Sequence, residues 1–259
     1  GVELLKMLSS HPSTARFISR KIAVRFVSDN PSQSLVNKMA RTFQEKGGNI
    51  KQVIITMVSS PEFWSTEALR QKTKSPFELA ISAVRSLNAE IKQPYQLYQW
   101  VSKMGQKLYY YQAPTGFPDN GQYWINTGSL LNRMNFGLAL SAEKIPGIKV
   151  DLARLNSNKE PESADAALRV YSELIMPERE LDATLKRLTP MLKDPAISEK
   201  IEQAAAAKAT VSGEMNTLRN EDAVIEDNVK PAPMSKAASN MMLAQVVGVI
   251  IGSPEFQRK

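Results

Sequence analysis

The chain has 259 residues, 42% of them hydrophobic and 23% charged, with a formal net charge of +7 at pH 7. Cysteine is absent and His11 is the single histidine, which excludes disulfides, thiolate metal sites, cysteine nucleophiles and zinc sites built on paired imidazoles. The charge is uneven: residues 1–150 hold 19 Lys/Arg against 9 Asp/Glu, and residues 151–259 hold 14 against 17, so a basic region precedes a slightly acidic one.

Residues 2–8 read as the end of a short helix, and a pattern that starts in mid-helix at Gly1 reads as a fragment or a processed product. His11-Pro12-Ser13-Thr14 starts a helix predicted to about residue 27. Its apolar residues fall on two sides, Ala15, Ile18, Ile22 and Phe26 on one and Phe17, Val24 and Val27 on the other, which predicts burial between two layers. Arg16, Arg20, Lys21 and Arg25 then sit at the seams, their stems covering apolar surface or their heads ion-paired, a reading preferred to a phosphate site. His11 has no partner for acid–base or metal chemistry and is expected to bond a nearby backbone group.

A helix over 34–46 stops at Gly47-Gly48, and Asn49 caps the next, over 50–59, whose Ile54, Ile55, Met57 and Val58 predict burial. Ser60-Pro61-Glu62-Phe63 and Ser75-Pro76-Phe77-Glu78 are helix starts, the second leading to about residue 88. Pro94 opens a helix with the stripe Leu97, Val101, Met104 and Leu108.

Residues 113–140 organise the chain. Pro114, Gly116, Pro118 and Gly121 dictate an ordered non-helical loop. A helix follows from about Thr127, capped by Thr127 or Ser129, with a stripe of Leu130, Leu131, Met134 and Leu138. Gly137 inside it suggests close approach of another backbone. The loop and this helix make a candidate ligand cleft, with aromatic walls from Tyr109, Tyr110, Tyr111, Phe117 and Trp124 and polar contacts from Asn132, Arg133 and Asn135. The alternative, ranked first, has Arg133 and the two Asn bonding the loop's own carbonyls.

Beyond residue 145 the sequence predicts helices over 163–175, 178–192 and 195–209. A polar excursion over 210–233 precedes a strongly apolar last helix from 234 to about 251, whose longest apolar run, Met241 to Ile251, is too short for a membrane span. Glu178, Glu180 and Asp182 read as solvated carboxylates on an amphipathic helix. Residues 50–63 and 243–256 align without gaps and agree at six of fourteen positions, ending alike in Ser-Pro-Glu-Phe. That echo predicts burial of Ile54, Met57 and Phe63 and of Val247, Ile250 and Phe256.

The expected fold is all-α, an irregular multi-helix bundle with a long ordered central loop. Residues 1–150 form a basic helical region carrying the aromatic loop, and residues 151–259 a helical region whose last helix packs back on the first, in one compact domain. The function that fits is a scaffold or protein-interaction module. The alternative is a glycan- or small-ligand-binding protein, or an enzyme, using the loop 109–124. Nucleic-acid binding ranks last, for want of a motif. No catalytic residue, metal ligand or cofactor is assigned.

One set of motifs goes further. His11-Pro12-Ser13-Thr14-Ala15-Arg16-Phe17-Ile18, Ser60-Pro61-Glu62-Phe63, Pro114-Thr115-Gly116-Phe117-Pro118-Asp119, Leu130-Leu131-Asn132-Arg133-Met134-Asn135-Phe136 and Gly252-Ser253-Pro254-Glu255-Phe256-Gln257-Arg258 occur in this order. The succession resembles the C-terminal half of the bacterial family called domain of unknown function 1800, over almost the whole chain, least so over 210–233. The resemblance implies a bacterial origin, a large helical protein, and two kinds of partner: the chain's own upstream half or a sulfatase-like protein. It supplies no catalytic residues. The compartment stays open, with the envelope or periplasm favoured over the cytoplasm.

Overall fold

The chain is all-α. The computed structural model describes residues 1–177, 179–192 and 234–259, and among the described residues there are twelve α-helices and one two-stranded ribbon. The helix predicted over 195–209 and the polar stretch 210–233 lie outside the described residues. The chain divides into two units: Gly1–Ser75 with Tyr111–Ile125 and Arg258–Lys259, and Pro76–Tyr110 with Asn126–Gln257.

The first unit opens with α1 (Val2–Ser10), α2 (Pro12–Phe26), α3 (Gln33–Glu45) and α4 (Ile50–Val58). Local chemistry sets each boundary. Pro12 is tolerated at the head of α2 because its missing N–H has no helical partner to lose, and His11 Nδ1 accepts the Ser13 N–H at 3.1 Å. Ser32 Oγ accepts the Leu35 N–H at 3.2 Å to start α3. Gly47 and Gly48, both at positive φ, end it, and Asn49 Oδ1 caps α4 through the Gln52 N–H at 3.3 Å.

Helix α3 carries the core of this unit. Leu35, Val36, Met39, Ala40 and Phe43 pack with Ala15 and Ala23 of α2 and Val53 and Met57 of α4. Complete burial of Leu35 and Met39 contributes about 1.5–3 kcal/mol each. Small residues Ala15, Ser19 and Ala23 line the buried side of α2 and admit α3 closely.

Two expectations fail in this unit. Helix α2 is not covered on both sides, since Phe17 and Phe26 are each 58% exposed, and Arg16, Arg20 and Lys21 are exposed with them. Helix α4 is not buried: Val53 and Met57 face α3, while Ile50, Ile54, Ile55 and Val58 face solvent. A nine-residue helix packed through one i, i+4 line leaves its other sides open, however apolar they are. Of the expected buried trio, Met57 is buried, Phe63 is partly buried against the core, and Ile54 is exposed. Ser-Pro-Glu-Phe at 60–63 starts only a short 3-10 turn, Pro61–Phe63.

The second unit contains α5 (Pro76–Ser86), α6 (Pro94–Lys103), α7 (Thr127–Ser141), α8 (Leu152–Leu155), α9 (Ala164–Ile175), α10 (Asp182–Leu192), α11 (Met234–Gly252) and α12 (Pro254–Gln257). Strands β1 (Glu90–Ile91) and β2 (Ile148–Lys149) pair antiparallel, Glu90 opposite Lys149 and Ile91 opposite Ile148. Helices α7 and α11 form the central crossing. A Cβ on Gly137 would lie 2.9 Å from the Gly248 carbonyl oxygen, and one on Gly248 would lie 2.7 Å from Leu138 Cδ2. Both glycines are therefore required by contact, as the interior Gly137 suggested. Ser141 Oγ donates to the Ala244 carbonyl at 2.7 Å across the same crossing.

The buried side of α7 differs from the one expected. Leu130 and Leu131 are exposed, Phe136, Ala139 and Leu140 enter the core with Trp100, Leu168, Tyr171 and Val247, and Leu138 is buried against Gly248. Its cap is Asn126, one residue before the expected start: Asn126 Oδ1 accepts the Ser129 N–H at 2.8 Å and Ser129 Oγ accepts the Asn126 N–H at 3.0 Å. Val247, Ile250 and Phe256 are buried as the echo predicts. Helix α10 begins at Asp182, so Glu180 precedes it, and both carboxylates are exposed, while Glu178 lies outside the described residues.

Candidate functional site

The aromatic loop belongs to the first unit from Tyr111 to Ile125. Its rings pack on one another: Tyr111 and Phe117 lie 4.6 Å apart by centroid, Phe117 and Trp124 5.5 Å, and Tyr123 meets Trp124 edge-on at 4.8 Å. These are the tilted and edge-to-face geometries that aromatic quadrupoles favour. Trp124 is buried on the 3-10 turn Gly121–Trp124, which Asn120 Oδ1 caps through the Gln122 N–H at 2.9 Å.

The loop is held by two charges that sequence reasoning did not single out, Lys72 and Asp29, together with the pair Arg25 and Asp119. Lys72, almost fully buried, donates to Asp29 Oδ1 at 2.6 Å and to the Asp119 carbonyl. Asp29 Oδ2 accepts the Gly121 N–H at 2.8 Å. Arg25 Nη1 donates to Asp119 Oδ1 at 2.7 Å. Gly121 fits because a Cβ there would lie 3.0 Å from Thr73 Oγ1 and 3.2 Å from Asp29 Oδ2. The one available signal was Asp29 itself, one of five acids among twelve bases in residues 1–75. Nothing local pairs it with residues 72 and 121.

The remaining candidates lie in the second unit. Arg133 is fully buried, and its Nη1 donates to Gln257 Oε1 at 3.3 Å. Burial lowers the guanidinium to about 10, because the charged form loses hydration. Asn132 Nδ2 donates to the Lys103 carbonyl at 2.9 Å, so this amide ties α7 to the end of α6 rather than to the loop. Asn135 is half-buried on α7. Tyr109 is fully exposed with φ of 66°. The seven candidates therefore divide, with Tyr111 and Phe117 in ring contact and Trp124 against Phe117 in one unit, and Tyr109, Asn132, Arg133 and Asn135 in the other.

The second unit also bears a groove of about 1030 Å3, lined by Glu90, Glu143, Lys144, Lys149, Asp151 and Arg154 among others. Three acidic and three basic side chains line it, and none of these six is buried. Among the described residues no group of three or more His, Cys, Asp or Glu is placed to hold a metal ion. No helix among them is long and apolar enough to cross a membrane.

The surface of the first unit is the more unusual feature. On α4, Ile50, Ile54 and Val58 recur at four-residue spacing and face water, with Ile55 beside them. Trp64, 68% exposed, is fixed at the end of this row by its indole N–H, which donates to the Val58 carbonyl at 2.7 Å. Val2, Leu4, Leu5, Met7 and Leu8 of α1 are exposed as well.

A family model described as protein of unknown function (DUF1800) matches residues 1–258. No curated protein and no solved structure matches the chain.

Proposed function

We propose a protein-docking role for this chain, which belongs to the DUF1800 family. One observation carries the proposal: the row Ile50, Ile54, Val58 and Trp64. A line of water-facing Ile side chains ending in a tethered Trp is the kind of ridge that an apolar helix face covers. Trp in such a position contributes disproportionately to binding, and the bond to Val58 limits the freedom it would lose. The occupant is a helical segment of a partner protein with an apolar face and acidic flanks, because the first unit carries 14 Lys/Arg against 6 Asp/Glu. A sulfatase-like protein is one candidate for that partner.

The test is site-specific. A photo-crosslinking residue at Ile54, introduced in the native host, is expected to capture one heterologous protein. Purified, that protein should bind the wild-type chain and lose roughly tenfold or more in affinity to the Ile54→Glu/Trp64→Ala variant. Capture only of a second copy, or reconstituted binding that ignores both substitutions, overturns the reading.

A glycan or small ligand at the loop 109–124 is the second reading. It is favoured by the full exposure of Tyr109, an aromatic face open to stacking. Binding of a glycan panel that is abolished by Tyr109→Ala would support it against the docking reading.

A further inference from the structure

Helix α2 presents a basic face that no other described residue engages. Arg16, Phe17, Arg20 and Lys21 recur at spacings of one, three and four residues and are all exposed, opposite the buried Ala15, Ser19 and Ala23. Arg16, Arg20 and Lys21 make no hydrogen bond or ion pair with the described residues. Arg25, on the same helix, is engaged by Asp119. The one contact within the patch is Lys21 Nζ over the Phe17 ring, 5.2 Å from its centroid. Phe17 at 58% exposure thus sits among three charges that meet no carboxylate among the described residues.

We infer that this face of α2 is a second contact surface, which reads acidic side chains flanking an apolar one on a helical segment of a partner protein. The inference rests on the docking reading in one respect, that the occupant is protein. It concerns a different surface from the α4 row, and one set by charge. Unpaired Arg side chains around an aromatic are the composition of interface hot spots, and three adjacent cations would both steer an acidic partner and fix its register. A phosphate backbone would match the charge alone. Phe17 offers it a poor stacking platform, since Lys21 stands over the ring. Adsorption to an anionic bilayer needs an apolar stripe to insert, and on this face Phe17 has only the half-buried Val24 beside it.

The experiment uses the full chain and two synthetic amphipathic peptides of about five helical turns. Both have Leu on one face; one carries Glu on its flanks and the other Lys. Fluorescence anisotropy is expected to show binding of the Glu peptide only, weakening with salt, and roughly tenfold weaker for the triple variant Arg16→Glu/Arg20→Glu/Lys21→Glu. The single variant Arg20→Glu should lose about threefold, which keeps the test decisive if the triple variant folds poorly. Equal binding of the two peptides, or no effect of either variant, overturns the inference. Tighter binding of single-stranded RNA or of phosphatidylglycerol vesicles than of the Glu peptide also overturns it. Because Ile54 and Trp64 are untouched in these variants, failure here leaves the α4 crosslinking result standing, and the reverse holds.

Discussion

Asp29 binds Lys72 through one carboxylate oxygen, at 2.6 Å, and accepts the Gly121 N–H on the other at 2.8 Å. The lysine side chain is only 4% exposed. A cation so placed needs a fixed counter-charge, and Asp29 supplies it while anchoring the aromatic loop at the same time.

Removing that counter-charge should therefore be expensive. Asp29→Ala leaves the Lys72 ammonium with the Asp119 carbonyl but no anion, and the expected loss is about 3 kcal/mol in urea denaturation. Lys72→Met together with Asp29→Asn should recover part of it, since the uncompensated charge is gone. A loss within about 0.5 kcal/mol for Asp29→Ala would show that the clamp contributes nothing to stability.

Gly137→Ala sets helix propensity against packing. Alanine favours an isolated helix by about 1 kcal/mol over glycine. Here its Cβ would stand 2.9 Å from the Gly248 oxygen and 3.1 Å from Ile251 Cβ, so α7 and α11 must move apart. Packing is expected to win, with a net loss of about 1–3 kcal/mol read as a lowered melting temperature. A gain in melting temperature would mean that the crossing is looser than these distances.

Arg133 separates charge from volume. Arg133→Ala empties a fully buried site and leaves Gln257 Oε1 without this donor, for an expected loss of about 3 kcal/mol. Arg133→Met keeps most of the volume and removes a cation that burial disfavours, so it should lose much less. Equal losses from the two variants in chemical denaturation would show that the guanidinium's hydrogen bonds, and not its bulk, hold the site.

Glu62 provides a pH test. Its carboxylate accepts Lys38 Nζ at 2.8 Å and Ser34 Oγ at 3.0 Å. The Lys38 bond first, then its own backbone N–H and the Ser34 hydroxyl, lower it from 4.5 to about 2. In that interval the unfolded chain binds the proton and the folded one does not, so stability rises with pH. The contribution is complete above about 4.5, falls as the pH drops toward 2, and is absent below it. Glu62→Gln should be less stable than wild type at neutral pH and should converge with it near pH 2. Parallel curves down to that pH would reject the assignment.

Much of the first unit's outline was legible in the chain itself. The Pro12 start, the Asn49 cap and the Gly47-Gly48 stop place helix boundaries within a residue or two. Gly137 announced a close approach before its partner was known. All of these signals act within a few residues, where backbone geometry and side-chain reach set the outcome. What the sequence alone could not say was which apolar face finds a neighbour. Helix α4 has apolar residues nearly all round, and the fold buries Val53 and Met57 while leaving Ile54 in water; α7 turns Phe136 inward and Leu130 outward. The candidate site obeyed the same division. Aromatic content identified the loop, and Tyr111, Phe117 and Trp124 do gather there, but its anchors Asp29 and Lys72 are 43 residues apart in sequence. Their pairing is a non-local contact. Hydrophobic burial chooses among faces only when the other element is present, and an ion pair forms only where folding brings its two charges together.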